Sequence, residues 1–148
     1  MSFYGSTVIL VADDDADDCF LVQEALKELD GNFTLKMVKN GEELLYYLNR
    51  KGKYSDEKEY PHPSLVLLDL NMPRKNGSEA LEEIRNNKKH KGLPVVVFST
   101  SSAHEDIEKM YLKGANSFIT KPLTFEGMVD TLKNLNTYWF STVKLPNE

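Results

Sequence analysis

The stretch VLLDLNMPRKNG, residues 66–77, sets an acid, Asp69, directly behind a run of aliphatic side chains, and an amide, a proline and a glycine follow closely. An aliphatic run without polar alternation is the pattern of a strand buried on both faces of a parallel sheet. In open parallel sheets, sites form where strands end, at their carboxyl edge. Asp69 therefore reads as a carboxylate held rigidly at a strand end yet reachable. Pro73 and Gly77 shape the loop that leaves it, and Asn71 can offer a backbone carbonyl to a metal.

Five apolar runs stand out, at 7–12, 33–38, 64–68, 94–98 and 116–119. VILVA, LVLL and VVVF are nearly continuous aliphatics. Between the runs lie segments with helical spacing. The stripe over 16–29 holds Cys19, Val22, Leu26 and Leu29, with Asp18, Lys27 and Glu28 outside it. The others fall at 41–50, 78–87, 103–113 and 124–140, each with polar residues on the opposite face. Five alternations of strand and helix, joined by right-handed crossovers, give an α/β fold with helices on both faces of a parallel sheet. A four-helix bundle is the competing architecture, and the VVVF and LVLL runs do not suit it. The charged segment KGKYSDEKEYPHP, residues 51–63, reads as an exposed loop before the third strand.

At 148 residues and 41% apolar content, the chain fits one domain with a real core. We place that core at about 7–138, with a short segment 1–6 before it and a tail 141–148 after. A net charge of −5 argues against sequence-independent nucleic-acid binding, which needs a basic face. The one cysteine, Cys19, rules out an internal disulfide. With no signal-like N-terminus and no run of roughly 18 apolar residues, a cytoplasmic protein without a membrane span is expected. His62, His90 and His104 are not spaced as metal ligands.

The strand ends collect chemistry. The first closes on Asp13, Asp14 and Asp15, the third on Asp69 and then Asn71, the fourth on Ser99, Thr100, Ser101 and Ser102, and the fifth on Thr120, Lys121 and Pro122. Central strands would bring Asp13, Asp14 and Asp69 together, and carboxylates that close repel unless a cation joins them. An all-oxygen set points to Mg2+. A carboxylate beside Mg2+, a lysine and a hydroxyl is a place to hold a phosphoryl group, and aspartate can itself accept one. Asp15 reads instead as the cap of the first helix.

VADDD, LLDLNMPRKNG, VVVFSTSS and FITKP, in this order, resemble the receiver domains of two-component response regulators over nearly the whole chain. The resemblance implies a flavodoxin-like, CheY-like three-layer α/β/α fold with strand order 2-1-3-4-5. It implies Asp69 as phosphoacceptor and Mg2+ held by Asp13, Asp14, Asp69 and the Asn71 carbonyl. Ser99 and Lys121 would contact the phosphoryl group, Phe118 stands where the family has a rotating aromatic switch, and Pro122 where a cis peptide bond is common. Ser99 replaces the commoner threonine, and Phe118 lacks a tyrosine's hydroxyl. The 51–63 loop, the STSS stretch and the ending NTYWFSTVKLP resemble the single-domain regulators that partner phytochrome-type histidine kinases.

The resemblance implies a histidine kinase as phosphoryl source and a signalling module rather than an enzyme. Output would pass by protein contact, through a homodimer at the aromatic C-terminal surface of Tyr138, Trp139 and Phe140, or through a downstream phosphorelay protein. The enzyme alternative is a haloacid-dehalogenase-like phosphohydrolase, with Asp13 and Asp15 as its Asp-x-Asp pair, although Asp17 stands where that family wants Thr or Val. A third reading is an unphosphorylated pseudo-receiver scaffold. A nucleotide-binding flavodoxin-like protein is disfavoured, because no Gly-rich loop follows the first strand.

Overall fold

The computed structural model describes residues 7–146, so the 1–6 segment and the last two residues of the tail lie outside it. The strands are β1 (Thr7–Ala12), β2 (Phe33–Val38), β3 (Leu65–Leu68), β4 (Val95–Ser99) and β5 (Ser117–Thr120). The helices between and after them are α1 (Ala16–Leu26), α2 (Gly41–Leu48), α3 (Gly77–Asn86), α4 (His104–Leu112) and α5 (Phe125–Thr137). All strand pairs are parallel, in the order β2-β1-β3-β4-β5. This is the expected topology, and every expected strand and helix is present to within a few residues at its ends.

The continuous aliphatic runs now have a physical account. Side chains alternate across a strand. Leu10, Ala12, Val66, Leu68, Val95 and Val97 enter one core with α2, α3 and Met110 of α4. Ile9, Val11, Leu65, Leu67, Val96 and Phe98 enter the other with α1 and α5. Both faces are buried, so no position in β3 or β4 can be polar until Asp69 and Ser99 reach the rim.

The loop after β3 is clamped by two close backbone approaches. The Gly77 N–H donates to the Leu70 carbonyl at 2.9 Å, and the Gly41 N–H to the Lys75 carbonyl at 2.8 Å. A Cβ at Gly77 would collide with the Asp69 carbonyl oxygen, and one at Gly41 with that of Lys75. Asn76 then caps α3 in a reciprocal box with Glu79. The proline and glycine of the quoted stretch thus belong to a loop pressed against the starts of α2 and α3.

Two expectations need correction. The 51–63 segment is not simply an exposed loop. Gly52–Ser55 form a 3-10 turn, and Tyr54 is buried against Tyr47 and Tyr60, with ring centroids 5.2 and 4.9 Å away. The Tyr47 hydroxyl donates to the Pro61 carbonyl at 2.7 Å. The charges stay in solvent while the tyrosines go inward, and a count of charges hides this. At the other end, α5 stops at Thr137, and Tyr138–Thr142 continue as a π-helical turn. Trp139 and Phe140 fold back on the α1/α5 core, whereas Tyr138 remains 54% exposed.

Candidate functional site

The last backbone bonds of the sheet place the side chains that the sequence singled out. The Asp13 N–H donates to Val38 (3.0 Å), Asp69 to Ala12 (2.9 Å) and Lys121 to Ser99 (2.7 Å). Each residue is thereby fixed at the carboxyl rim on its strand. Asp13, Asp69, Ser99 and Lys121 are all buried, and they make up most of the buried polar residues described.

Lys121 lies among carboxylates. Its Nζ donates to Asp13 Oδ2 at 2.6 Å and to Asp18 Oδ2 at 2.7 Å, and stands 3.6 Å from Asp69 Oδ2. Burial works against its charge, but the bonds to Asp13 and Asp18 and the field of Asp69 outweigh it, so its pKa is raised. The Asp69 carboxyl is pushed up to about 6, chiefly by burial, with Lys121 pulling down, Asp13 pushing up and the N–H groups of Leu70 and Asn71 pulling down. The Leu70 N–H lies 2.8 Å from Asp69 Oδ1. Cys19 adjoins the site, its Sγ 3.7 Å from the Asp13 carbonyl oxygen, and burial and then Asp13 push its thiol up to about 11.

Asp13, Asp14 and Asp69 each offer an oxygen, all within 4.8 Å of one another. Asp14 is exposed while the other two are buried. An all-carboxylate set without sulfur or imidazole fits a hard divalent cation. Asn71, exposed, begins the loop beside it.

Ser99 is fully buried, and its Oγ accepts from the Ser101 N–H at 3.2 Å. The Ser101 hydroxyl donates to Asp106 in the first turn of α4 (2.7 Å), and the Thr120 hydroxyl donates to the Ser101 carbonyl (3.1 Å). The serine-rich stretch therefore joins the site to α4 and β5. Phe118 is half-buried against the α2/α3/α4 core, and its N–H donates to the exposed Tyr111 hydroxyl at 3.2 Å.

The cis bond expected at Pro122 is absent, because all peptide bonds among the described residues are trans. The trans form is intrinsically favoured by about 0.5–1 kcal/mol at X–Pro bonds, and Lys121 reaches its carboxylates from it. Asp15 caps α1, with Oδ1 accepting from the N–H groups of Asp17 (2.9 Å) and Asp18 (3.2 Å). Asp15 is spent on the cap, and the phosphohydrolase alternative has no support. Asp18 was missed as a site residue. It falls outside the apolar stripe of α1, where an acid facing a strand end and an acid facing solvent look alike in sequence.

Residues 9–133 match the response regulator receiver domain family. The chain belongs to that family. It is similar to the response regulator Rcp1 of Synechocystis, 35% identical over 94% of this chain and 92% of that one. Among solved structures it resembles the phosphorylated cyanobacterial phytochrome response regulator RcpA, with TM-score 0.88, 35% identity and coverage of 96% of this chain and 99% of that one. It also resembles RPA3017 of R. palustris, a response regulator in red light signalling, with TM-score 0.90, 31% identity and coverage of 95% and 98%. Rcp1 itself has been solved with Mn2+ bound, at TM-score 0.83, 35% identity and coverage of 95% and 99%. The fold is the CheY-like receiver fold. Among the described residues no helix is long and apolar enough to cross a membrane.

Proposed function

We propose that the chain acts as a single receiver domain, core about 7–138, that takes a phosphoryl group on Asp69 from the phosphohistidine of a histidine kinase of the phytochrome type. The observation that carries this reading is the buried Asp69 carboxylate 3.6 Å from the Lys121 ammonium, on the same rim as the Asp13–Asp14 pair. An Asp69 oxygen attacks phosphorus, the new O–P bond forms as the N–P bond breaks, and the bonding pair returns to the imidazole nitrogen. Asp13, Asp14, Asp69 and the Asn71 carbonyl would hold Mg2+. When bound, Mg2+ supplies the positive charge that the transferring oxygens need. Lys121, with two of its three N–H groups on Asp13 and Asp18, directs the remaining one toward Asp69 and the incoming phosphoryl oxygen.

The Ser99 hydroxyl turns to a phosphoryl oxygen. It then gives up the Ser101 N–H and loosens the link to Asp106 and Thr120, which carries the event to α4 and β5. Phe118 moves with that face. The output is protein contact. A homodimer through the C-terminal helical surface is supported by the exposed Tyr138 and by the cleft that Ile119, Leu135, Tyr138 and Trp139 line. A downstream phosphorelay protein is the alternative receiver of the signal. The lone buried thiol suits a reducing cytoplasm. The test is beryllofluoride, a phosphoryl mimic, followed by fluorine NMR and light scattering. A bound fluoride signal that requires Mg2+, with a rise in mass average toward a dimer, is expected. No bound signal at saturating Mg2+ would contradict the reading.

The raised Asp69 pKa carries a pH dependence. The folded protein keeps that proton up to about pH 6, whereas the unfolded chain releases it near the ordinary carboxylate value. Asp69 therefore lowers stability as pH rises between the two values, and the penalty is full above the higher one. Mg2+ binds the ionised form. Its stabilising effect on thermal unfolding should be largest above pH 7 and fade below about 6. A Mg2+ effect that grew on acidification would contradict this.

A further inference from the structure

Lys121 holds three carboxylates at once, and they are not equivalent. Asp13 and Asp69 belong to the group fit for the cation. Asp18 does not. It sits in the first turn of α1, its side chain 25% exposed, with its Oδ2 2.7 Å from Lys121 Nζ. That bond is nearly as short as the one to Asp13, at 2.6 Å, and much shorter than the approach to Asp69, at 3.6 Å.

We propose that Asp18 is a positioning residue that tethers Lys121 toward α1 and so keeps its ammonium from competing with the divalent cation for Asp13 and Asp69. This rests on the phosphoryl-accepting reading above. A buried ammonium must have acceptors, because a charge taken out of water without a partner is strongly unfavourable. With Asp18 present, Asp13 and Asp69 can turn to a cation and Lys121 keeps one carboxylate that is not a metal ligand. Without Asp18, the described partners of Lys121 are Asp13 and Asp69 alone, and the flexible four-carbon stem lets the ammonium close the gap to Asp69. The cation must then displace it from both. The same tether leaves an N–H of the lysine free for a phosphoryl oxygen once Asp13 has turned to the metal. Local structure supports separate removal of Asp18, since α1 is capped by Asp15.

The test is a double-mutant cycle read by calorimetry of Mg2+ binding to the full chain, with Asp18→Ala, Lys121→Gln and the pair. Asp18→Ala should weaken Mg2+ binding about tenfold in the lysine background. In the Lys121→Gln background the same change should cost only about twofold, the residue of a general field effect from a part-exposed charge. Asp18→Glu, which keeps the charge and can reach further, should restore most of the affinity. Circular dichroism of each metal-free variant checks that it is folded. Equal losses in both backgrounds, or no loss with lysine present, would overturn the tether. A wild-type protein that binds no Mg2+ would instead overturn the phosphoryl-site reading itself.

Discussion

Lys121→Gln should destabilise the metal-free protein by about 3 kcal/mol at mildly alkaline pH, because breaking a buried ion pair strands the partner charges. The side chains of Lys121 and Asp13 are 5% and 4% exposed, so solvent screens them little. Glutamine can still donate a hydrogen bond but brings no charge to Asp13, Asp18 and Asp69. The Asp69 carboxyl, which burial already pushes up to about 6, can escape by taking a proton, so the loss should shrink on acidification. The penalty should also shrink as Mg2+ is added, since the cation replaces the missing charge at Asp13 and Asp69. Urea denaturation with and without Mg2+ reads both effects. With a total stability of about 5–15 kcal/mol typical of such domains, the variant remains folded. A variant as stable as wild type without metal would mean that the lysine does not hold the carboxylates together.

The second large effect is expected at Gly77. A Cβ there would meet the Asp69 carbonyl oxygen and the Leu70 Cα. Both are backbone atoms, so no rotamer change can relieve the clash. Gly77→Ala must move either the end of β3 or the start of α3. The Gly77 to Leu70 bond at 2.9 Å and the Asn76–Glu79 capping box oppose the second. Overpacking of this kind costs about 1–3 kcal/mol, and occasionally more. Because the displaced atom belongs to Asp69, the variant should lose Mg2+ affinity along with stability. An alanine variant of unchanged stability and metal binding would show that the loop is not clamped. The comparison with Gly92, where a Cβ meets nothing within 4 Å, supplies the control: Gly92→Ala should change neither quantity.

Much of this site was legible because the sheet imposes strict rules on sequence. A strand buried on both faces must be aliphatic throughout, so the first polar residue marks the rim, and Asp13 and Asp69 were readable from that alone. Lys121 follows Thr120 at the end of the half-buried β5 and was read from its place at a strand end and from the family resemblance. Ser99 was readable as the first hydroxyl after VVVF. Asp18 was not, because helical periodicity separates apolar from polar and says nothing of which polar residue faces a strand end. Tyr54 and Tyr60 were hidden by the charged residues around them, although their burial turns an apparent loop into a packed one. Ser101, whose bonds reach Ser99, Asp106 and Thr120, lies in a run of four hydroxyl residues that composition cannot tell apart. The cis bond at Pro122 was an expectation carried over from the family rather than read from the residues, and the local geometry does not require it.

Acceptance of the phosphoryl group by Asp69 can be read by incubation with acetyl phosphate, with and without Mg2+, followed by intact mass of wild type and Asp69→Asn. A gain of one phosphoryl group that requires Mg2+ and disappears in the variant is the predicted result. An equal gain in the variant, or none in the wild type under any condition, would contradict it.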